Sequence, residues 1–365
     1  MRVGLNLMFL VDEAGGAGRY ASELAPALLE AQPGLLLTVF VNRDAPASLS
    51  EASWAGDVEW VRLPTRFSNR THLAGQVTAL PAIAARRRLD VVHSLANGGP
   101  PVTPRVKRVV TLLDLIWLHQ QEAWGSRAAV RTMAALTRVS ARTAHRVITI
   151  SHAARNDLVR SFGLDAAKVD VTPLGVRLPD AAPRRDNGPP TVLCVAQKRP
   201  YKNLSALVRA VAELHDERPT LVLPGAPTAY ERDLRALADE LGVADRIRFP
   251  AWVSDEDLEA LYANATCFVL PSFIEGFGLP VLEAMARGVP VACSERPALP
   301  EVAGDAALFF DPTDQSAVTG AIRRLLGDDR LREELSAKGL ERARQFSWRR
   351  TAEETLASYR RAVAE

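Results

Sequence analysis

The feature that most limits what this chain can become is an alternation. Short apolar runs of strand length are each followed by a turn and then by a stretch with helical spacing, and the cycle repeats along 365 residues. In the first half the strand-like runs fall at residues 3–7, 35–41, 91–93, 108–113 and 146–149. Helical patterns lie at about 20–29, 79–88 and 128–144, and another begins near Ser151. The second half repeats the cycle, with strands at 191–196, 220–223, 247–249, 267–270, 289–292 and 306–310. Its helices fall at 204–215, 229–241, 255–262 and 279–287, and helical sequence then runs to residue 365. Strands alternating with helices build parallel sheets covered by helices, so the chain is expected to be α/β.

Between the halves, residues 178–190 read LPDAAPRRDNGPP, rich in Pro, Asp and Arg and poor in apolar residues, as a linker between domains does. A chain of this length exceeds what one core usually organises. Two domains are therefore expected, residues 1–175 and 176–345. Apolar residues make up 47% and charged residues 24%, which suits a globular protein with a core in each half.

The longest apolar runs, such as residues 35–41, fall well short of the roughly 18 residues that cross a bilayer, and the first residues lack the apolar core of a signal peptide. A cytoplasmic location is the expectation. Cys194, Cys267 and Cys293 are odd in number, lie in apolar stretches and lack paired spacing, so they read as small core residues rather than disulfide partners or zinc ligands. The net charge of +2 conceals an asymmetry. Residues 1–170 hold 20 lysines and arginines against 14 acids, and residues 171–365 hold 25 against 29. The basic half suits a solvated face, a phosphorylated acceptor, or peripheral contact with anionic lipid at the inner face of a membrane. Nucleic acid is not expected as a partner, because the basic residues are neither interleaved with aromatics nor part of a recognisable binding module.

Three segments carry candidate chemistry. The first, Gly15-Gly16-Ala17-Gly18-Arg19, closes the turn from the first strand into the first helix, where missing Cβ atoms let a ligand approach the backbone and a helix N-terminus favours anions. An ordinary tight turn would look the same, and the spacing is not G-x-G-x-x-G. The second, QKRPYKN at 197–203, stands between the first strand of the second half and a helix. Lys198, Arg199 and Lys202 there read either as a clamp on a diphosphate, since open parallel sheets bind ligands at the C-terminal ends of their strands, or as a solvated charged loop. The third, EGFGLPVLE at 275–283, follows the strand-like run ending in Val269-Leu270-Pro271-Ser272. Glu275 falls in a loop, Gly276 and Gly278 open backbone amides, Pro280 suits a first helical turn and Glu283 lies one turn inside. Taken singly, the two glutamates also read as a helix cap and an exposed helix residue.

With these segments in this order, the chain resembles the retaining glycosyltransferases of family 4 over essentially its whole length. The strongest element is glutamate, seven residues, glutamate, matched by Glu275 and Glu283 in EGFGLPVLEAMARGVPVACSERPALPEVAGDAALFFDP. The resemblance implies the GT-B fold, two Rossmann-like doubly wound domains facing a central cleft, with a nucleotide diphosphate sugar of GDP or UDP type as donor substrate. No cofactor and no metal are implied. Glu275 would lie by the donor sugar and Glu283 by the ribose, with the amides of Gly276, Phe277, Gly278 and Leu279 near sugar and phosphate. Lys202 would sit at the phosphate-binding lysine position, Val253 would line the base pocket, and Gly16 and Gly18 would approach the donor from the first domain. Phe346-Ser347-Trp348 and the last helix, residues 346–365, are similar to the segment that crosses back onto the first domain.

Two departures stand out. Where the family often has an arginine, Ala196-Gln197 stands, which makes Arg199 the cationic partner of Lys202. The histidine that precedes an aspartate in many members is replaced by Leu113, so Asp114, His93 or His119 would take over its contacts. A histidine at a strand end suits a structural role equally. The expected reaction is transfer of a hexose of mannose or glucose type to a glycan, lipid-linked or small-molecule acceptor, with a non-catalytic sugar-nucleotide-binding protein as the alternative. A nicotinamide oxidoreductase would share two α/β domains, but the dinucleotide fingerprint is absent.

Overall fold

The computed structural model describes residues 1–11, 15–66, 74–96, 98–120, 126–179, 189–251 and 253–365. Most of the segment 178–190 read as a linker, and Asp12 in the glycine-rich turn, fall outside these residues. The chain divides into two compact units, Met1–Gly175 together with Ser347–Glu365, and Val176–Phe346.

Among the described residues the first unit holds a seven-stranded sheet in the order β3-β2-β1-β4-β5-β6-β7. The strands are β1 (Arg2–Asn6), β2 (Leu36–Val41), β3 (Glu59–Arg62), β4 (Val91–Ser94), β5 (Lys107–Thr111), β6 (Arg146–Thr149) and β7 (Val169–Val171). Every pairing is parallel, with Leu5 opposite His93 and His93 opposite Val109 at the centre. Central strands such as β4 and β6 are buried along their whole length, as a sheet covered on both faces requires. The second unit repeats the plan with six parallel strands in the order β10-β9-β8-β11-β12-β13: β8 (Thr191–Leu193), β9 (Thr220–Val222), β10 (Ile247–Arg248), β11 (Cys267–Leu270), β12 (Val291–Ser294) and β13 (Ala307–Phe310). Cys194, Cys267 and Cys293 are all buried in it, and burial pushes the thiols of Cys194 and Cys267 up to about 12.

Local chemistry fixes the helix ends. Ser126, Ser151 and Ser347 each accept the amide of the third residue into the helix that follows, and Ser254 forms a full capping box with Asp257. At the helix Leu279–Ala286, Gly288 turns left-handed with φ +64° and the Val289 amide bonds back to the Ala284 carbonyl at 3.0 Å. Val289 is thereby spent on closing the helix, and Pro290 has no amide to donate. That is why β12 starts two residues later than the apolar run suggests.

Two strands escape the apolar pattern. β3 buries one of its four residues fully, and β7 is three residues long with Asp170 at its middle. The first helix also begins earlier than expected, at Gly15, so Gly16 and Gly18 lie in its first turn rather than in a loop.

The helix Trp348–Ala364 completes the first unit. It lies on the helix Gly15–Ala31 and on β5 and β6, and buries Ala352, Leu356, Tyr359 and Ala362. Thr351 Oγ1 donates to the Pro173 carbonyl at 2.6 Å, and Ser358 Oγ to Asp170 Oδ2 at 2.7 Å. The approach is closest at Gly175, where a Cβ atom would stand 2.2 Å from the Trp348 amide nitrogen. Backbone at that distance cannot yield as a side-chain tip can. Gly175→Ala is therefore expected to destabilise the first unit by about 1–3 kcal/mol, read as a fall of several degrees in Tm by circular dichroism. An unchanged melt would mean that the crossing is looser than described.

Candidate active site

In the second sheet the chain order reverses between β8 and β11, which are neighbours although three strands apart in sequence. Their C-terminal ends lead into loops that part on either side of this point, and open parallel sheets bind ligands there. The loop after β8 carries residues 194–203 and the loop after β11 carries residues 271–278. A backbone bond from the Phe273 amide to the Tyr201 carbonyl, 2.9 Å, ties them together.

Across this join Lys202 Nζ meets Glu275 Oε1 at 2.6 Å, and Ser272 Oγ donates to the same oxygen at 2.7 Å. The two charged side chains are nearly buried, at 12% and 8% exposure. Burial alone would pull the Lys202 ammonium down, but the Glu275 carboxylate outweighs it and holds it above the ordinary lysine value. An ammonium has three N–H donors, so the ion pair does not exhaust its capacity for a phosphate oxygen. Lys202 also stands 5.2 Å over the Tyr201 ring. Asn203, left-handed at φ +54°, donates from Nδ2 to the Pro312 carbonyl and leads into the helix Leu204–Glu213.

Lys198 lies inside the fold. It is fully buried, 3.0 Å from Glu231 Oε2, and it also donates to the Gly225 carbonyl. A buried cation is retained where it has such partners, and these hold Lys198 inside the fold. Arg199 is half-buried and opens the short turn Pro200–Lys202.

On the other loop Gly278 has φ +102°, and a Cβ there would also come within 2.4 Å of Leu299 Cδ2, so both backbone and space call for glycine. It immediately precedes the helix Leu279–Ala286, in which Pro280 has no amide and the Val281 amide donates to the Gly278 carbonyl at 2.9 Å, while the helix dipole favours an anion at this end. Phe277 is buried edge-on to Phe346, 5.9 Å between centroids, which anchors the loop. Glu283 is 8% exposed rather than solvated, and its Oε2 accepts from Tyr262 Oη at 3.1 Å. Tyr262 lies in the helix Asp255–Ala263, and half-buried Val253 sits just before the Ser254 cap of that helix. The structure thus joins Lys202 directly to Glu275, and Glu283 to the helix that follows Val253. Ser272 and Tyr262 are partners that single-residue reading missed. Ser272 had a weak signal, as the last polar residue before the glutamate loop, and Tyr262 had none beyond its helical position.

The first unit encloses one of the candidate residues. His93 is fully buried, with Nδ1 2.7 Å from Tyr359 Oη and Nε2 2.7 Å from Thr111 Oγ1. Burial drives its pKa down to about 3. Both ring nitrogens are engaged inside the fold, which gives His93 a packing role. Asp114 is half-buried after β5, and its Oδ1 accepts the Ile116 amide at 3.0 Å. His119 pairs with Asp157 at 2.7 Å. In the first turn of its helix Gly16 is exposed, with open space where a Cβ would stand, while Gly18 is buried.

Comparison with known proteins matches residues 14–180 to Glycosyltransferase Family 4 and residues 180–342 to Glycosyl transferases group 1. O-antigen chain mannosyltransferase B of Escherichia coli is 37% identical, covering 94% of this chain and 96% of that one. The chain belongs to glycosyltransferase family 4. It is a glycosyltransferase of a metal-independent family. A second relative, MMP alpha-(1->4)-mannosyltransferase of Mycolicibacterium hassiacum, is 34% identical over 78% of this chain and 74% of its own length. Among solved structures, sucrose-phosphate synthase from Thermosynechococcus elongatus superposes with TM-score 0.80 over 100% of this chain and 99% of its own, at 24% identity. Anabaena HepE in complex with UDP-glucose gives TM-score 0.75 at 18% identity, covering 98% of this chain and 100% of its own. These likenesses establish the GT-B fold. Among the described residues no helix is long and apolar enough to cross a membrane.

Two outcomes follow from the ionisable groups. Lys202→Ala leaves Glu275 nearly buried without its cation and is expected to cost about 3 kcal/mol or more in chemical denaturation. Because the folded Lys202 value is raised, the pair's contribution is full below the unfolded lysine value and is lost only as pH climbs through the folded one. His93 has the opposite sense. Its folded value is depressed, so below about 6.5 the unfolded state takes up a proton that the folded state refuses. Stability then falls by about 1.4 kcal/mol per pH unit towards about pH 3, and His93→Asn should flatten that slope. An equal slope in the variant would remove His93 from the account.

Proposed function

We propose that this family member transfers mannose from a nucleotide diphosphate sugar to a growing glycan, with the anomeric configuration retained. The observation that carries the donor site is the Lys202–Glu275 pair at the reversal of the second sheet, beside the glycine-led start of the helix Leu279–Ala286. The choice of mannose rests on the two relatives whose names are mannosyltransferases.

In this reading Lys202 and Arg199 bind the diphosphate, and the amides of Gly276, Phe277, Gly278 and Leu279 orient phosphate and hexose. Glu275 positions both Lys202 and the sugar. Glu283, held by Tyr262, takes the ribose, and Val253 lines the base. The bond from the anomeric carbon to the β-phosphate oxygen breaks, and charge builds up on the leaving diphosphate, where fixed cations and helix amides stabilise it most. The acceptor hydroxyl attacks from the face the diphosphate leaves. Its proton passes to a β-phosphate oxygen, and the products are the glycoside and a nucleoside diphosphate. Glu275 is a positioning residue here, since Lys202 and Ser272 already occupy one of its oxygens. Asp114, Gly16 and Gly18 belong to the first unit, to which we assign the acceptor, a glycan carried on a lipid at the cytoplasmic face of a membrane.

Thermal-shift titration with GDP, UDP, dTDP and ADP identifies the base, because a ligand at about 100 times its Kd stabilises by about 2.7 kcal/mol. GDP-mannose turnover is then followed with the anomeric C–H coupling of the product as the readout of stereochemistry. Arg199→Ala with Lys202→Ala is expected to lower kcat/KM at least tens-fold, since each charged hydrogen bond contributes about 1.5–3 kcal/mol. Wild-type turnover in that double variant would discard the clamp, and an inverted product would discard the mechanism.

A further inference from the structure

At the N-terminal edge of the first sheet, opposite the strand ends that lead to Asp114, lies a cavity of about 460 Å³. Four cations line it: Arg108 near the start of β5, Arg146 at the start of β6, Lys168 just before β7, and Arg142 in the last turn of the helix Arg127–Thr143. Arg146 has carboxylate partners, Asp170 at 2.5 Å and Glu365 at 3.4 Å, and Asp170 is shared with Arg361 at 3.1 Å.

The other three form no ion pair among the described residues. Arg108, only 8% exposed, donates to the Pro100 carbonyl at 3.2 Å, to Thr143 Oγ1 at 2.9 Å and to the Thr143 carbonyl. Lys168 Nζ donates to the Arg142 carbonyl at 2.6 Å, and Arg142 Nε to the Phe162 carbonyl at 3.1 Å. Among the described residues no carboxylate lies within ion-pair distance of these three. The remaining acid of the lining, Asp165, accepts the Ala167 amide at 2.9 Å.

Some of these cations cap carbonyls at a helix C-terminus. Arg142 caps a second one, that of the helix His152–Phe162, and each end carries about half a negative charge, so once Asp165, Asp170 and Glu365 are set against Arg108, Arg142, Arg146, Lys168 and Arg361, about one positive charge is left over. His145 is held below the usual imidazole range chiefly by burial, with Lys107 and Arg108 adding to it and Glu365 opposing, and Lys168 is lowered chiefly by burial and by Arg108 against the pull of Glu365 and Asp165. The Arg108 amide donates to His145 Nδ1 at 3.1 Å, so the neutral ring carries its proton on Nε2 and adds a donor.

We propose that this cavity binds a phosphate monoester or free phosphate, an anion site on the first unit separate from the donor clamp of the second. Arg108, Arg142 and Lys168 supply the charge-assisted bonds, and Arg146, already paired, frames the far wall.

The test is calorimetric titration of the full chain with inorganic phosphate. Wild type and Lys202→Ala are expected to bind alike, and Arg142→Gln/Lys168→Gln to bind about tenfold more weakly or worse, with transferase turnover in phosphate-free buffer unchanged and the circular dichroism melt intact. Sedimentation with phosphatidylcholine vesicles containing phosphatidic acid separates the sources. Retention lost in the same double variant assigns the phosphate to a lipid headgroup, and calorimetric binding without retention assigns it to a soluble ligand. Absence of binding in both arms, or binding abolished by Lys202→Ala and kept in the double variant, overturns the proposal and leaves the cations as caps of a helix end.

Discussion

A parallel sheet cannot close its strands with hairpins, so each strand must be followed by a crossing that packs on one face, and both faces end up covered. That constraint governs each unit of this glycosyltransferase. It forces near-continuous apolar strands, gathers the strand-to-helix loops at one edge, and makes the chain reverse direction once across each sheet. In the second unit the reversal separates the loops after β8 and β11, and polar side chains can be held there without cutting the core. Lys202 and Glu275 use that position: each meets its counter-charge across the join while its own loop stays pinned by backbone bonds.

Charged residues in the two units are buried on different terms. Lys198 and Lys202 are four residues apart, and both are largely removed from water. Lys198 is satisfied by Glu231 and a carbonyl, which fixes the loop. Lys202 is tied to the acid of the glutamate motif, so its charge stands at the join of the two loops. In the first unit His93 is accommodated by losing its charge altogether, with Tyr359 and Thr111 taking its two nitrogens. The heptapeptide at 197–203 thus separates into a cation held inside the fold and one paired across the join of two loops, a division no spacing rule contains.

Much of this was legible in the sequence. The alternation of apolar runs and helical stretches located both sheets, and the glutamate motif pointed to the loop that meets Lys202. What escaped had physical causes. β3 and β7 are edge or three-residue strands whose stability comes from neighbours, so they show no apolar run. β12 started late because Val289 was claimed by the helix cap. His93 looked available at a strand end because a linear reading cannot see Tyr359, which arrives from the last helix. The cations of the first unit were visible as a charge excess, but only the sheet edge brings Arg108, Arg142 and Lys168 together.

The first unit is discontinuous in the chain, since Ser347–Glu365 completes what Met1–Gly175 begins. During synthesis the second unit can therefore reach its native state while the first still lacks the residues that cover Tyr20, Thr111 and His93. Until the closing helix docks, that surface is open to water and to other chains. The helix Trp348–Ala364 is in this sense a lock on the assembly order: the second unit can mature first, and the unit with the unfinished core waits for residues 347–365.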